Sequence, residues 1–202
     1  MDFLYRAPDD LMILSSLLVR NFRVIDEAAF SLQPGIQLFL GQNAQGKTSL
    51  IESVLFLSTS TSHRTHREEE LIRWGEKVAF LRGVVEQNER YTIECGIEKN
   101  RKSIKIDGVA LPRVGDLYGR LRTVLFAPED LSIIGGSPQE RRRFIDMTIA
   151  QLDPQYIHLL HQFRHALHQR NHLLKQMQIR HSPTVEKELD IWNRPFLDFA
   201  AQ

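Results

Sequence analysis

The chain has 202 residues, enough for one well-packed domain or a domain with a smaller lobe, and a formal net charge of +1 with 42% hydrophobic residues. That balance excludes intrinsic disorder and a global basic field, so any nucleic-acid contact has to come from local patches. A single cysteine, Cys95, excludes an internal disulfide framework and a multi-cysteine zinc site and fits a reducing cytoplasm, and no stretch approaches the 18 apolar residues of a membrane-spanning helix.

Residues 1–11 are acidic rather than signal-like and read as an N-terminal extension, because Met12 leads at once into a strand-like run. Leu14–Phe22 and Ala28–Leu32 read as a strand pair. Gly35–Leu40, an apolar run entered from Pro34-Gly35, reads as a buried strand. Leu50, Ile51, Val54, Leu55 and Leu57 recur at helical spacing within Thr48–Ser58. A polar, basic stretch, Thr59–Arg67, precedes a short helix in Glu68–Trp74. Val78–Val85, Tyr91–Ile97 and Ser103–Ile106 read as strands, the last closed by an Asp107-Gly108 turn. Cys95 alternates with Tyr91, Ile93 and Ile97, which makes it a core thiol on a strand face. Arg122–Ala127 reads as a further strand, followed by a loop through Gly135-Gly136-Ser137-Pro138. Gln139–Gln151, Pro154–Arg180 and Pro183–Gln202 read as helices. Strands thus dominate up to residue 127 and helices from residue 139.

Between the strand at 35–40 and the helix at 48 stands Gly41-Gln42-Asn43-Ala44-Gln45-Gly46-Lys47-Thr48, which fits the phosphate-loop pattern G-x-x-x-x-G-K-[ST] at every fixed position. An accidental match in a chain of this size has a chance of roughly 1% at ordinary residue usage. The chemistry explains the spacing. Gly41 and Gly46 keep the backbone close, so that N–H groups of the loop can cradle a β-phosphate. Lys47 reaches the β- and γ-phosphates, and the Thr48 hydroxyl suits a ligand position on Mg²⁺. Strand, glycine loop and helix N-terminus together aim a helix dipole at an anion.

The words around this loop resemble those of the RecF family. They include Leu18-Val19-Arg20-Asn21-Phe22-Arg23, Ser62-His63-Arg64-Thr65, Leu71-Ile72-Arg73-Trp74-Gly75 and Phe126-Ala127-Pro128-Glu129-Asp130-Leu131. Gly136–Asp146 and Gln169–Lys175 continue the series in family order, from about residue 14 onward. The resemblance implies an α/β fold, a P-loop ATPase head of SMC/ABC type. Its ATP-binding lobe would be residues 12–138 and its helical lobe, incomplete here, 139–202. It implies binding of ATP and Mg²⁺, and of single-stranded DNA and single-strand/double-strand junctions in recombinational gap repair and the SOS response. RecO and RecR are the implied partners, with an ATP-dependent homodimer as the switch.

Two segments imitate ATPase parts without supplying them. Val124–Asp130 offers apolar residues and then acids, but the inserted Pro128 moves the carboxylates away from a strand tip, where Mg²⁺ would need one. Ile134–Arg141 echoes a Ser-Gly-Gly-Gln signature with Ser and the glycines in the wrong order. Ser137 as N-cap, Pro138 at the first helical position and Glu140 closing a capping box account for that sequence structurally. Family members continue through the signature, an acidic strand and a switch histidine. The expectation is therefore an amino-terminal portion that binds nucleotide weakly at best and does not hydrolyse it appreciably.

Candidate DNA contacts are Arg64 and Arg67 in the basic stretch, Lys102 and Lys105 in the basic hairpin, and Arg141, Arg142 and Arg143, of which at most two can face one ligand on a helix. His158, His161, His165, His168 and His172 step by three and four and so share one helix face, with Tyr156, Leu160, Phe163, Leu167 and Leu174 opposite as the core side. A solvated polar stripe is the plain reading of these histidines, and a face that gains charge below about pH 6.5 is the sharper one.

Three other functions compete. A small-molecule P-loop kinase leaves the words after residue 62 unexplained. A chromosome-organising SMC protein needs long heptad runs, which the Pro-punctuated helices at 154 and 183 oppose. An ATP-independent DNA-binding module differs in keeping the loop only as a relic.

Overall fold

The computed structural model describes residues 11–179 and 182–201. Its first part is a six-stranded antiparallel sheet in the order β2-β1-β3-β4-β5-β6. The strands are β1 (Ile13–Phe22), β2 (Ile25–Ser31), β3 (Val78–Glu86), β4 (Arg90–Glu98), β5 (Arg101–Ile106) and β6 (Val109–Ala110). β1 turns into β2 through Asn21 and Arg23, both with positive φ (52° and 55°), which puts Phe22 opposite Ile25 and Leu17 opposite Phe30. The β5–β6 turn uses Asp107 and Gly108 at φ 50° and 79°, the left-handed pair that a tight hairpin of this hand requires.

One face of this sheet is the core. Leu17, Val19, Ala79, Leu81, Val85, Ile93, Cys95, Ile97 and Ile104 are buried there, following the period-two alternation of their strands. Helix α1 (Lys47–Thr59) lays Leu50, Phe56 and Leu57 against them, with the Phe56 ring 6.3 Å from Phe22. Close approach of α1 depends on Gly83, where an added Cβ would stand 2.8 Å from Leu14 and 3.1 Å from Leu57.

The second part is helical. A 3-10 turn at Glu68–Leu71 joins α1 to β3; after the sheet, turns at Val114–Leu117 and Pro128–Leu131 and a one-turn helix α2 (Ser132–Gly135) lead to α3 (Pro138–Leu152), α4 (Pro154–Ile179) and α5 (Pro183–Ala200). The chain divides into two compact units, Met1–Arg141 and Arg142–Gln202. In the second, Phe163 of α4 stacks on Phe196 of α5 at 5.4 Å, and Arg170 lies over the same ring at 5.1 Å. Ala166 and Leu173 are the buried residues between them. Among the described residues no helix is long and apolar enough to cross a membrane.

Several expected elements change. Gly35–Leu40 and Arg122–Ala127 carry no regular secondary structure and pair with no strand among the described residues, so neither is part of the sheet. Ile36, Leu38 and Leu40 on one and Val124 and Phe126 on the other are all more than three-quarters exposed; the second segment keeps its alternation, whereas on the first Phe39 alone is partly covered. An apolar run becomes a strand only when a neighbour accepts its ladder bonds, and sequence periodicity does not show the neighbour. The helix expected at Glu68–Trp74 is a 3-10 turn ending at Leu71, because Phe22 bridges Ile72 and draws the chain into extended geometry. β2 begins three residues earlier than expected, β5 begins two residues earlier at Arg101, and the two-residue β6 was not foreseen. On α4 the packed face centres on Phe163, Ala166 and Leu173, one step round from the expected row. The N-terminal extension, apart from Leu11, and the ends expected at Arg180 and Gln202 lie outside the described residues.

Candidate nucleotide site

The phosphate loop spans the exit of the irregular segment at 36–40 and the first turn of α1. Phe39 anchors the entry by an edge-on contact with Phe30, ring centroids 5.3 Å apart. Ala44 (φ 65°) and Gly46 (φ 93°) then take left-handed backbone, turning the chain into the helix. Gly46 caps α1, and Leu50 donates its N–H to the Gly46 carbonyl at 2.8 Å. A Cβ on Gly46 would meet Ile25 at 3.1 Å and Val24 at 3.2 Å, so glycine is required there by both conformation and space.

Side chains hold the loop in shape. Gln45 curls back so that its Oε1 accepts the Gln42 N–H at 2.9 Å. Lys47 Nζ donates to the carbonyls of Gly41 and Gln42 at 2.7 and 2.6 Å. The ammonium therefore sits over the loop it would share with a phosphate, and Thr48 stands exposed in the first helical turn. These groups fit the ligands expected of them. The helix start, with no acidic residue in its first turn, offers unpaired N–H groups and a positive dipole end to phosphate. The Thr48 hydroxyl is a hard oxygen donor of the type Mg²⁺ takes. Beside the loop, an open groove of about 560 Å³ is lined by Val24, Ile25, Phe30 and Phe39 together with the polar Asp26, Glu27, Gln45 and Lys47, so it offers a flat base both apolar contact and hydrogen-bonding groups.

Behind the loop is a charged cluster that sequence reading missed. Glu52 lies fully buried on α1, and Arg23 reaches it from the β1–β2 turn with Nε and Nη2 at 3.1 and 2.6 Å. Ser62 donates its hydroxyl to the same carboxylate at 2.5 Å, and Arg64 approaches to 3.7 Å. Burial pushes the Glu52 carboxyl up, but the hydrogen bonds from Arg23 and Ser62 and the charges of Arg23 and Arg64 outweigh it, leaving it below the usual carboxylate range. The signal in the sequence was a lone acid within the apolar stretch of α1, four residues before Phe56 and so on its face.

The candidate DNA residues fall into different surroundings. Arg64 points in part toward Glu52, and Arg67 pairs with Glu70 at 3.8 Å. Lys102 is mostly covered: its ammonium donates to the Ser60 carbonyl at 3.0 Å, pairs with Glu68 at 2.8 Å and sits 5.9 Å from the Phe56 ring. Lys105 is exposed on β5, opposite Glu94 of β4. Arg141 turns back to the Gly136 carbonyl at 3.2 Å, while Arg142 is exposed on α3 and Arg143 is partly covered. The capping box is present, with Ser137 N–H donating to Glu140 at 2.7 Å and Glu140 N–H to Ser137 Oγ at 3.4 Å. Asp130 accepts the Ala127 N–H at 2.6 Å, so this carboxylate serves a turn.

Comparison with known proteins agrees with this geometry. A family model described as an AAA domain matches residues 16–181. RecF, the DNA replication and repair protein, from Geobacillus thermodenitrificans is 40% identical over 95% of this chain, and that from Bacillus subtilis 38% over 95%. These alignments cover 51% and 52% of the relatives, so the chain spans about half the length of the curated proteins it matches. A solved structure of the recombination mediator protein RecF-ATP in the RecFOR pathway superposes with a TM-score of 0.87 at 32% identity, over 96% of this chain and 52% of that one. A companion structure, RecF-ATPrS, gives 0.86 at 33% over 94% and 52%. The chain therefore belongs to the AAA domain family of P-loop ATPases and, within it, corresponds to an amino-terminal portion of RecF.

Proposed function

We propose that this chain is the ATP-binding portion of a DNA repair and replication protein. It binds single-stranded DNA and single-strand/double-strand junctions in recombinational gap repair and the SOS response. The observation that supports this best is the complete phosphate loop at the start of α1, with Lys47 already drawn over Gly41 and Gln42. In this reading the β- and γ-phosphates of ATP lie along residues 41–48, the base enters the groove walled by Val24, Ile25 and Phe30, and Thr48 supplies an oxygen to Mg²⁺. RecO and RecR are its partners, a nucleotide-dependent homodimer is its switch, and its location is the cytoplasm, where the buried free thiol of Cys95 stays reduced.

Hydrolysis is not proposed for this chain. That step needs a carboxylate on the Mg²⁺ water shell and a group to orient the attacking water. In the segment that offers acids after an apolar run, the Asp130 carboxylate is bonded to the Ala127 N–H. The experiment is DNA affinity with and without ATP and Mg²⁺, for wild type and Lys47→Met. ATP should strengthen wild-type binding about tenfold or more and leave Lys47→Met unchanged. Equal binding in all four arms would favour the ATP-independent DNA-binding module.

A further inference from the structure

Helix α4, Pro154–Ile179, has 26 residues and not one aspartate or glutamate. His161, His165, His168 and His172 are exposed along it, and Arg164 and Lys175, also exposed, flank them. At 100° per residue these six side chains fall within about 100° of the helix surface and extend about 21 Å along it. Phe163, Ala166, Arg170 and Leu173 occupy the opposite side, against α5.

The neighbouring helices bring one carboxylate into an ion pair with this stripe, Asp146 on Arg164. From α3, Asp146 accepts hydrogen bonds from Arg164 at 2.6 Å and from the Tyr156 hydroxyl at 2.7 Å, so it is already engaged, and Asp153 caps Gln155 at the helix start. From α5, Trp192 meets the His165 ring edge-on at 5.2 Å, and Asn193 accepts from Arg170 at 3.0 Å with Asp190 behind it. Glu186, Lys187, Glu188, Arg194 and Asp198 complete the charges of α5. Along the stripe itself, His172 shares a hydrogen bond with Gln176 at 2.8 Å.

We propose that this face of α4 is a docking surface for the phosphodiester backbone of DNA, and that it tightens as pH falls from about 8 to about 6. The inference rests on the DNA-binding reading above and adds the surface. At the higher pH Lys175 supplies its positive charge, because the Arg164 guanidinium is paired with Asp146. The four imidazoles can add up to four like charges to that of Lys175, and no carboxylate on the same helix offsets them. A polyanion answers that pattern, because each phosphate neutralised releases counterions and steepens the salt dependence.

The test measures binding of a labelled oligodeoxynucleotide duplex by the full chain at about pH 6 and about pH 8, with a chelator present, at several salt concentrations. Two fourfold variants accompany wild type, with His161, His165, His168 and His172 changed to Gln or to Arg. Wild type should bind about tenfold tighter at the lower pH, with a salt slope steeper by about two. The Gln variant should keep the affinity of the higher pH and lose the gain, and the Arg variant should bind tightly at both. A Gln variant that follows wild type at both pH values would refute the surface while leaving DNA binding standing. Failure of all three proteins to bind at either pH would overturn the DNA-binding reading and the surface with it.

Discussion

Arg23, in the turn between the first two strands, holds the fully buried carboxylate of Glu52, inside the phosphate-loop helix, through two nitrogens at 2.6 and 3.1 Å. The same carboxylate takes the Ser62 hydroxyl, so one side chain joins the sheet edge, α1 and the chain that follows α1. Two-point guanidinium contacts fix direction as well as distance, which sets the rotation of α1 about its axis. Glu52→Ala leaves Arg23 mostly buried without its partner, and the expected loss is about 3–5 kcal/mol of unfolding free energy by urea titration. Glu52→Gln, which keeps hydrogen bonds but no charge, should lose less. A loss below about 1 kcal/mol for Ala would show that the cluster does not hold the helix.

The same pair makes stability depend on acid in a defined direction. The folded-state pKa of Glu52 lies below its unfolded value, so its contribution is fully present above the ordinary glutamate range. It is lost as pH falls through the folded value, beneath about 4.3. Urea midpoints followed downward from neutral pH should fall more steeply for wild type than for Glu52→Gln, the two curves converging at low pH.

Gly46→Ala tests the loop without touching a charge. At φ 93° the new Cβ adds strain of about 1–3 kcal/mol and presses on Ile25 and Val24. Nucleotide affinity should fall at least tenfold by fluorescence titration with a labelled ATP analogue, with the sheet's circular dichroism unchanged.

Gly83 tests packing behind the site. The atoms an added Cβ would meet are the ends of Leu14 and Leu57, which can shift, so Gly83→Ala should cost about 1 kcal/mol. Gly83→Val has no such relief and should cost about 3 kcal/mol or more in the same urea titration.

Cys95 should be inert in the native chain. Burial pushes its thiol up to about 12 despite the nearby Lys102 ammonium, so almost no thiolate exists at neutral pH. Alkylation near pH 8 should be undetectable over the time in which the urea-unfolded chain reacts completely.

The loop was legible because its chemistry is local: eight consecutive residues carry the pattern, and the helix after it shows in Leu50, Val54 and Leu57. Cys95 was legible for a similar reason, since alternation along β4 fixes its face. Glu52 was not, because its partners lie 29 residues earlier and 10 residues later, and no periodicity links them. Lys102 was legible only as a basic residue of a hairpin; its contacts with Glu68 and the end of α1 come from segments 34 and 42 residues earlier. The strand expected at 35–40 failed because pairing is a property of two segments.

That segment decides how firmly the nucleotide loop is held. Gly41 hangs from a ribbon whose outward residues, Ile36, Leu38 and Leu40, touch solvent and whose inward hold comes chiefly from Phe39 on Phe30. Amide exchange at 36–40 should therefore run far faster than on β3, which is paired on both sides. The entry to the phosphate cradle is thus fastened through one aromatic pair, and whatever loosens Phe39 from Phe30 is felt first at Gly41.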